Sequence, residues 1–278
     1  MSISRKNTLI ALFSYNMGAL LEHCVHSIEE NCAGFRLLVL DDDSDEPVTT
    51  QVLQSLKARG VDVYSNCSAK GGRKHGNLYS NIRHACHVAE EMGLQYLLMV
   101  QDDMQFVRAL SEEVLQEYST YLSASEFHLQ VDPRFLMRRS YEFVAETGTF
   151  RHAGLMSYAD VGFLDLRKLR RSGWELRDGE RENAYGLRAR GYLRTFPRTP
   201  VMMHVPFPPR YRNGALKRSL LVPFRGRYRF AQMTAEEISN MDNRPNDLAP
   251  IYRDFLRVQP MGIARLPYLL LGDRKIFS

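Results

Sequence analysis

No stretch of this sequence is long and apolar enough for a membrane-spanning helix, which requires about 20 consecutive apolar residues. The apolar run at residues 8–13 is too short for the core of a secretory signal. The Ser14-Tyr15-Asn16 turn after it shows no small-residue cleavage pattern. We therefore interpret this run as the first strand of the fold and expect a cytoplasmic protein.

Cysteine pairs at metal-binding or redox spacing are also missing. The four cysteines, Cys24, Cys32, Cys67 and Cys86, include no C-x-x-C pair, which favours a reducing compartment and ordinary core thiols. Hydrophobic residues make up 44% of the chain and charged residues 25%, so the composition does not favour a disordered protein. A length of 278 residues allows one large core, or a core with a smaller appended region.

Acidic residues are absent between Glu182 and Glu236, although the net charge of the whole chain is only +5. This interval carries Arg188, Arg190, Arg194, Arg198, Arg210, Arg212, Lys217, Arg218, Arg225, Arg227 and Arg229. A block of one sign attracts phosphate groups, polyanions or an anionic membrane surface. The alternative is an ordinary basic face in contact with water.

What the sequence does contain is a set of short apolar runs followed by acidic residues. Residues 36–40 lead into Asp41-Asp42-Asp43-Ser44-Asp45, and residues 96–100 lead into Gln101-Asp102-Asp103. Such runs are typical of buried parallel strands, and parallel sheets bind ligands outside the carboxyl ends of their strands. Adjacent carboxylates repel each other, so a divalent cation or a sugar hydroxyl would stabilise the pair. A solvated turn is the alternative interpretation.

Helical periodicity alternates with these runs in the first half of the chain. The pattern predicts strands at residues 9–14, 36–40, 61–64 and 96–100, with helices around 20–28, 48–59 and 78–92. This order indicates an α/β fold with a Rossmann-like, mostly parallel sheet and flanking helices. Later strands are predicted at 128–131, 158–164 and 199–205, and later helices at 111–122, 165–169, 182–190, 235–238 and 248–258.

Prolines, glycines and basic residues between 206 and 226 indicate an irregular segment. We therefore expect a nucleotide-sugar-binding and catalytic domain over residues 1–205. A basic C-terminal segment over residues 206–278, with late helices, would pack on the active site or close it.

Four pieces of sequence, in this order, resemble a known family. They are Ser14-Tyr15-Asn16, Val39-Leu40-Asp41-Asp42-Asp43-Ser44-Asp45, Val100-Gln101-Asp102-Asp103, and a late segment containing Gly162-Phe163-Leu164, Gly173-Trp174-Glu175, Gly179-Glu180-Arg181-Glu182 and Gly191-Tyr192. Over about residues 8–205 the chain is similar to the inverting family 2 glycosyltransferases of the GT-A fold. The resemblance implies an enzyme that moves a sugar from a nucleotide-diphosphate donor, expected to be a UDP-sugar, to a hydroxyl of a glycan or lipid-linked acceptor.

The resemblance also implies a donor site. Its expected members are Ser14, Tyr15, Asn16, Asp42, Arg73, Lys74, Asp102, Arg210 and Arg212. Asp42 would accept a hydrogen bond from the nucleotide base, because a carboxylate suits the imide N–H of uracil or thymine. A turn or cap role is the alternative for Asp42. The arginines at 210 and 212 would close over the diphosphate from a flexible segment.

A divalent cation, Mn²⁺ or Mg²⁺, is the implied cofactor. Asp103 would bind it together with the donor diphosphate, and Asp102 would assist the metal or contact the ribose. His204 resembles a histidine that some relatives use as a further ligand, although a histidine after an apolar strand is also compatible with a structural role. The pair departs from the commoner D-x-D spelling, which leaves open whether one carboxylate or two reach the ion.

Transfer to a hydroxyl requires a general base. Alignment on Gly191-Tyr192 puts Glu180 at the position of the family's catalytic aspartate, with Glu182 and Asp178 as substitutes. Gly179 stands where a glutamate is usual, and an exposed glutamate at a helix start is the alternative for Glu180. The implied acceptor-binding residues are Gly162, Phe163 and Trp174, with a core role equally open for Trp174.

Two other functions compete with this interpretation. A nucleotidyltransferase on a related fold would carry a G-x-G-x-R signature after the first strand, which Ser14-Tyr15-Asn16-Met17-Gly18 does not supply. A non-catalytic protein that binds polyanions or a membrane surface would use the basic block. The expected partners are the sugar donor, the glycan or lipid-linked acceptor and, through the basic block, the anionic inner face of a membrane. Nucleic acid is not expected as a partner.

Overall fold

A seven-stranded sheet forms the centre of the protein in a computed structural model that describes residues 2–66, 77–137, 140–152, 157–212, 215–217 and 219–271. The strands are β1 (Thr8–Ser14), β2 (Arg36–Asp41), β3 (Asp62–Ser65), β4 (Tyr96–Gln101), β5 (Met104–Phe106), β6 (His128–Val131), β7 (Tyr141–Val144), β8 (Thr149–His152), β9 (Gly162–Asp165), β10 (Leu193–Thr195), β11 (Met202–His204), β12 (Tyr211–Arg212), β13 (Ala215–Leu216), β14 (Tyr228–Phe230) and β15 (Val258–Pro260). The helices are α1 (Gly18–Asn31), α2 (Pro47–Ala58), α3 (Leu78–Glu91), α4 (Glu112–Ala124), α5 (Leu166–Arg171), α6 (Glu180–Ala189), α7 (Ala235–Asp242), α8 (Tyr252–Phe255) and α9 (Arg265–Leu271), with 3-10 turns at Val222–Phe224 and Gly262–Ala264.

The sheet is mostly parallel, as predicted, and its strand order is β10-β6-β9-β4-β1-β2-β3. β1 pairs in parallel with β2 and β4, and β10 pairs in parallel with β6. β9 is antiparallel to both of its neighbours, β4 and β6. The α/β fold class with flanking helices is therefore confirmed.

Both faces of the sheet are buried, which explains the continuous apolar runs. Alternate residues of β1 enter different cores: Ile10 and Leu12 pack with α1, α2 and α4, while Leu9, Ala11 and Phe13 pack with α3, α5 and α6. This division follows the two-residue period of a strand. The result is a three-layer arrangement with helices on both sides of the sheet.

Three predicted elements are shorter than expected. The strand predicted at 158–164 begins only at Gly162, because the side-chain amide of Gln130 bonds the backbone N–H and C=O of Ala159 and takes the place of a neighbouring strand. The strand predicted at 199–205 is only β11, which pairs with β5 outside the main sheet. The helix predicted at 248–258 contains only α8. Pro250 restricts the residue before it, and Ile251 bridges Leu136 in an extended conformation.

The segment after residue 205 packs against the rest of the chain through a separate apolar cluster. Val107, Phe135 and Met203 meet Phe230, Met233, Met241 and Leu256 in this cluster. The Gln105 side chain exchanges two hydrogen bonds with the backbone of Phe230, and the Arg108 guanidinium makes a bidentate pair with Asp242. The division of the chain into a catalytic domain and a C-terminal segment at residue 205 stays a prediction. Among the described residues, no helix has the length and apolar character needed to cross a bilayer.

Candidate active site

One edge of the sheet collects the acidic residues. The carboxyl ends of β1, β2, β4 and β6 lie at this edge because these strands run in the same direction. β9 runs the opposite way, so Asp160, two residues before β9, reaches the same edge. α6 leads into β10, which is parallel to β6, and the first residue of α6, Glu180, therefore also lies at this edge.

Asp102 is buried directly beyond β4. Its Oδ2 accepts a hydrogen bond of 2.9 Å from the backbone N–H of Tyr15, and its own N–H donates to the carbonyl of Phe13 at 3.0 Å. Burial and the neighbouring Asp103 carboxylate raise the pKa of Asp102 well above its ordinary value. This corner of the site would be stabilised by a cation.

Asp103 begins a chain of polar contacts that continues through His204 to Arg134. Pairing of β5 with β11 places His204 beside Asp103, with 3.2 Å between His204 Nδ1 and Asp103 Oδ1. On the other side of the ring, Nε2 lies 2.8 Å from Nη1 of Arg134. Burial favours a raised pKa for Asp103, but His204 and Arg134 outweigh it, and the pKa lies below its ordinary value.

The guanidinium of Arg134 fixes the tautomer of His204. A guanidinium only donates hydrogen bonds, so Nε2 must be the acceptor of this contact and the ring proton resides on Nδ1, where it points at Asp103. With this tautomer His204 orients a carboxylate, and both of its ring nitrogens are engaged by protein. The role of metal ligand stays a prediction for His204. In the structure its ring contacts Arg134 and Asp103.

Arg134 is held by a fully buried carboxylate. Its Nε and Nη2 lie 2.8 and 2.6 Å from the two oxygens of Asp132, a bidentate pair, and Nη1 of Arg194 lies 3.6 Å from the same carboxylate. Burial acts to raise the pKa of Asp132, but Arg134 and Arg194 lower it below its ordinary value. Asp132 is therefore an anion that keeps two arginines inside the site.

Glu180 and Asp160 are two carboxylates close to these arginines. Burial and the Asp160 carboxylate raise the pKa of Glu180, while Arg194 and Arg134 act in the opposite direction. Burial likewise raises the pKa of Asp160, against Arg134 and His204. Arg134 thus lowers the pKa of Glu180, of Asp160 and of Asp103. The predicted base and the Asp103 corner are therefore coupled electrostatically through this arginine.

The ends of β1 and β2 are joined by a network around Asn16. The Asn16 side chain accepts from the N–H groups of Asp45 and Glu46 and donates to Oδ1 of Asp45, all within 3.0 Å. Asp42 is buried, and its Oδ2 accepts from the N–H of Asn77 at 3.1 Å. Asn16 thus shapes the turn, and Asp42 lies at the base of this corner.

A tyrosine of the C-terminal segment covers this corner. The hydroxyl of Tyr211 donates to the carbonyl of Asn16 at 2.8 Å, and the rings of Tyr15 and Tyr211 meet edge to face with 5.7 Å between centroids. Residues on both sides of position 205 therefore meet at this corner.

Several predicted site residues have exposed or structural surroundings. Glu182 is exposed on α6, and Asp178 is exposed and paired with Arg83. The Phe163 side chain is fully buried in the core. Trp174 donates from Nε1 to Asn183 and packs so closely on Gly186 that a Cβ there would lie 2.2 Å from the ring, which is a core role.

Other predicted residues are placed only in part. Gly162 has a φ of 105°, and an added Cβ would lie 2.4 Å from the carbonyl oxygen of Val131, so this position requires glycine for the close approach of β9 to β6. Arg210 is exposed. Arg212 is described only as part of the β12–β13 hairpin, and Arg73 and Lys74 lie outside the described residues.

Sequence reasoning missed Asp132, Arg134 and Asp160. For Asp132 a signal existed, because it directly follows the strand predicted at 128–131, as Asp102 follows β4. Asp160 precedes its strand and could be recognised only once β9 was known to be antiparallel. Arg134 gives no local signal, since its partner His204 is 70 residues away.

The donor set suits a cation that takes most of its ligands from a bound diphosphate. Within the described ranges, no three His, Cys, Asp or Glu side chains are grouped so as to hold a metal ion by themselves. Asp103 is 18% exposed and can reach a ligand, and Asp102 is next to it. One or two carboxylates with phosphate oxygens fit the oxygen-rich coordination of Mg²⁺ or Mn²⁺.

Sequence comparison finds neither a matching family nor a similar curated protein. Solved structures are similar in fold. S. aureus TarS, a glycosyltransferase, superimposes with a TM-score of 0.50 at 10% identity, over 71% of this chain and 36% of TarS. TarS 1-349 in complex with UDP gives a TM-score of 0.50 at 12% identity, over 71% of this chain and 60% of that one.

A third similar structure is the mannosyltransferase PcManGT from Pyrobaculum calidifontis in complex with GDP-Man and Mn²⁺, with a TM-score of 0.47 at 16% identity, over 72% of this chain and 57% of that chain. The chain thus spans less than two thirds of each of these proteins. Its fold is the GT-A-like arrangement of glycosyltransferases.

Proposed function

We propose that this protein is a metal-dependent, inverting glycosyltransferase that moves a sugar from a UDP-sugar to a hydroxyl of a glycan or lipid-linked acceptor in the cytoplasm. The observation that carries the proposal is the convergence of Asp102-Asp103 and Glu180 at one edge of a GT-A-like sheet. A sheet edge with a carboxylate pair that a cation would stabilise and a carboxylate of raised pKa has both groups that glycosyl transfer requires.

The donor would bind at the ends of β1 and β2. Asp42 is buried and oriented by the N–H of Asn77, so it can accept a hydrogen bond from a uracil ring. The edge-to-face pair of Tyr15 and Tyr211 offers an aromatic surface beside it. Arg210, Arg73 and Lys74 remain proposed contacts of the donor. The similarity to TarS, which has a structure in complex with UDP, favours a uridine donor.

Asp103, assisted by Asp102, would hold Mn²⁺ or Mg²⁺ beside the donor diphosphate. The ion would offset the charge that develops on the departing diphosphate. Asp132 holds Arg134, and Arg134 fixes the position and the tautomer of the His204 ring. The Nδ1–H of His204 can then orient the Asp103 carboxylate.

Glu180 is the proposed general base. The acceptor oxygen forms a bond to the anomeric carbon while the bond from that carbon to the diphosphate oxygen breaks, and the hydroxyl proton passes to Glu180. Attack from the face opposite the leaving group inverts the anomeric centre. The raised pKa of Glu180 makes its carboxylate a stronger proton acceptor than an exposed glutamate.

Transfer assays with a panel of UDP-, GDP-, dTDP- and CDP-sugars, with and without Mn²⁺, test the proposal. We expect activity with one nucleotide class that requires the metal, and a loss of at least about 100-fold in Asp103→Ala and Glu180→Gln. Glu182→Gln is the matched control, because Glu182 lies exposed on the same helix. Full activity of both site variants would refute the assignment, and pyrophosphate release from a nucleoside triphosphate would indicate a nucleotidyltransferase instead.

A further inference from the structure

The last helix of the described chain presents leucines to solvent. On α9 the exposed fractions are 66% for Leu266, 80% for Leu269 and 75% for Leu270, and Ile263 in the preceding 3-10 turn is also exposed. Positions 263, 266 and 270 follow helical spacing and share one face. We call Ile263, Leu266, Leu269 and Leu270 the C-terminal apolar face. An amphipathic helix of a globular protein normally turns such a face towards the core.

The same helix is anchored by its other side. Tyr268 points towards the β14–β15 hairpin, where its ring lies 6.4 Å from that of Tyr228. β14 and β15 in turn pair with each other and pack into the cluster around Phe230. Because α9 contacts the hairpin through Tyr268, the leucines on its opposite side point to solvent.

Basic residues lie on α9 and on the segment that contacts the turn before it. Arg265 lies on α9, and the carbonyl of Arg227 accepts a hydrogen bond from the N–H of Met261, one turn before it. Arg225 comes two residues before Arg227 and stacks on Phe207 at 4.2 Å. In the part of the chain that the structure describes, no carboxylate lies within 4.0 Å of these three guanidinium groups. Arg265 is thus a basic residue on the helix that carries the face, and none of the carboxylates among the described residues neutralises it.

The charge of the whole chain is divided in the same way. Residues 206–278 contain thirteen basic and six acidic side chains, whereas residues 1–205 contain 24 basic and 26 acidic ones. The net positive charge therefore belongs entirely to the C-terminal segment. A second apolar pair, Leu220 and Leu221, is exposed there as well, just before the 3-10 turn that leads to Arg225.

We propose that the C-terminal apolar face docks on an anionic lipid bilayer. The leucines would enter the boundary between headgroups and acyl chains, and the exposed Arg227 and Arg265 would lie against lipid phosphates. Apolar side chains and basic residues together supply the two signals that stable membrane attachment needs. Charge complementarity favours a bilayer over a second copy of this chain, because two copies would bring two segments of net positive charge together.

Docking on a bilayer would also favour a lipid-linked acceptor, an inference that rests on the proposed function. Tyr211 of the same segment closes the donor corner through its hydrogen bond to Asn16. A docked molecule would hold its active-site edge near the bilayer, where a lipid-linked acceptor is found. Docking itself does not depend on catalysis, so the two proposals can fail separately.

Vesicle flotation of the full chain tests the docking. The probes are vesicles of phosphatidylcholine alone and vesicles in which about one third of the lipid is phosphatidylglycerol. We expect flotation with the anionic vesicles only, decreasing as salt is raised. Leu266→Ser/Leu269→Ser/Leu270→Ser should lower the partition coefficient at least about tenfold, and Arg227→Gln/Arg265→Gln about fivefold per charge removed.

Controls separate docking from folding and from catalysis. Met92→Ser/Met137→Ser/Leu248→Ser removes three exposed apolar side chains elsewhere and should float like wild type. Glu180→Gln should also float like wild type, and the melting temperature of each variant confirms that it is folded. Failure of the wild type to float, equal binding to uncharged vesicles, or unchanged flotation of the leucine variant would overturn the proposal. So would a dimer, seen by light scattering, that the leucine variant abolishes.

Discussion

At the scale of single residues, His204 shows how a neighbour decides what an imidazole can do. Arg134 occupies one side of the ring and Asp103 the other. A histidine that ligates a metal needs a free lone pair, whereas a histidine that orients a carboxylate needs an N–H. The two roles predict different results for substitution by asparagine, whose amide N–H can replace the Nδ1–H donor.

We expect His204→Asn to keep Mn²⁺ affinity within about tenfold of wild type and His204→Ala to lose more, because an outer contact contributes about 10- to 100-fold. Electron paramagnetic resonance titration of Mn²⁺ in the presence of UDP measures both. Equal losses in the two variants would show that the imidazole itself binds the ion. Arg151→Lys, at an exposed arginine, is the control.

A pH prediction follows from the raised pKa of Glu180. A general base works only as the carboxylate, so kcat/KM falls as pH falls through the pKa of Glu180, and the acid limb lies above the ordinary glutamate value. The Asp160 carboxylate contributes to this raised pKa. Asp160→Asn should therefore move the acid limb to lower pH, and Glu180→Gln should abolish it. Profiles of kcat/KM against pH measure the shift, and an acid limb that Asp160→Asn leaves in place or moves upward would contradict the assignment.

At the scale of elements, α6 is positioned by a close contact between Trp174 and Gly186. Alanine normally stabilises a helix interior by up to about 1 kcal/mol relative to glycine. Here the added Cβ would overlap the indole, and overpacking costs about 1–3 kcal/mol. The contact matters for the site because Glu180 begins this helix.

We therefore expect Gly186→Ala to lower the free energy of unfolding, contrary to the helix propensity. In a Trp174→Phe background the smaller ring leaves room, and the same substitution should cost less or stabilise. Urea denaturation of the four proteins completes the double-mutant cycle. Equal effects in both backgrounds would show that Trp174 does not constrain the helix.

The elements also show which parts of the site could be read from sequence. Asp42, Asp102 and Asp103 lie within three residues of apolar runs, and a parallel sheet brings such ends together, so local patterning predicts that they share one edge. The tyrosine over the donor corner, the arginine behind His204 and the aspartate before β9 depend on pairings between distant segments. The direction of β9 is decided by its pairing with β4 and β6, and no property of residues 162–165 alone encodes it.

At the scale of the whole molecule, residues before and after position 205 share one apolar cluster. A segment that contributes Phe230 to this cluster cannot unfold without exposing Val107, Phe135 and Met203. Cooperative unfolding of both parts follows from this shared burial.

We expect calorimetry of the full chain to show one transition. Phe230→Ala should move all of it to lower temperature, since loss of a buried phenylalanine costs about 3–5 kcal/mol. Leu248→Ala, at an exposed leucine, should leave the transition unchanged. Two transitions, with only one shifted by Phe230→Ala, would show that residues 206–278 fold as a separate unit.

The division of charge between residues 1–205 and the C-terminal segment gives the molecule a permanent electric dipole. Near an anionic surface such a dipole experiences a torque that turns the basic end forward before any contact is made. The Debye length is about 8 Å at physiological ionic strength, so this orientation acts only over the last approach. Added salt would then lower the rate of association with the surface more than it would raise the rate of dissociation.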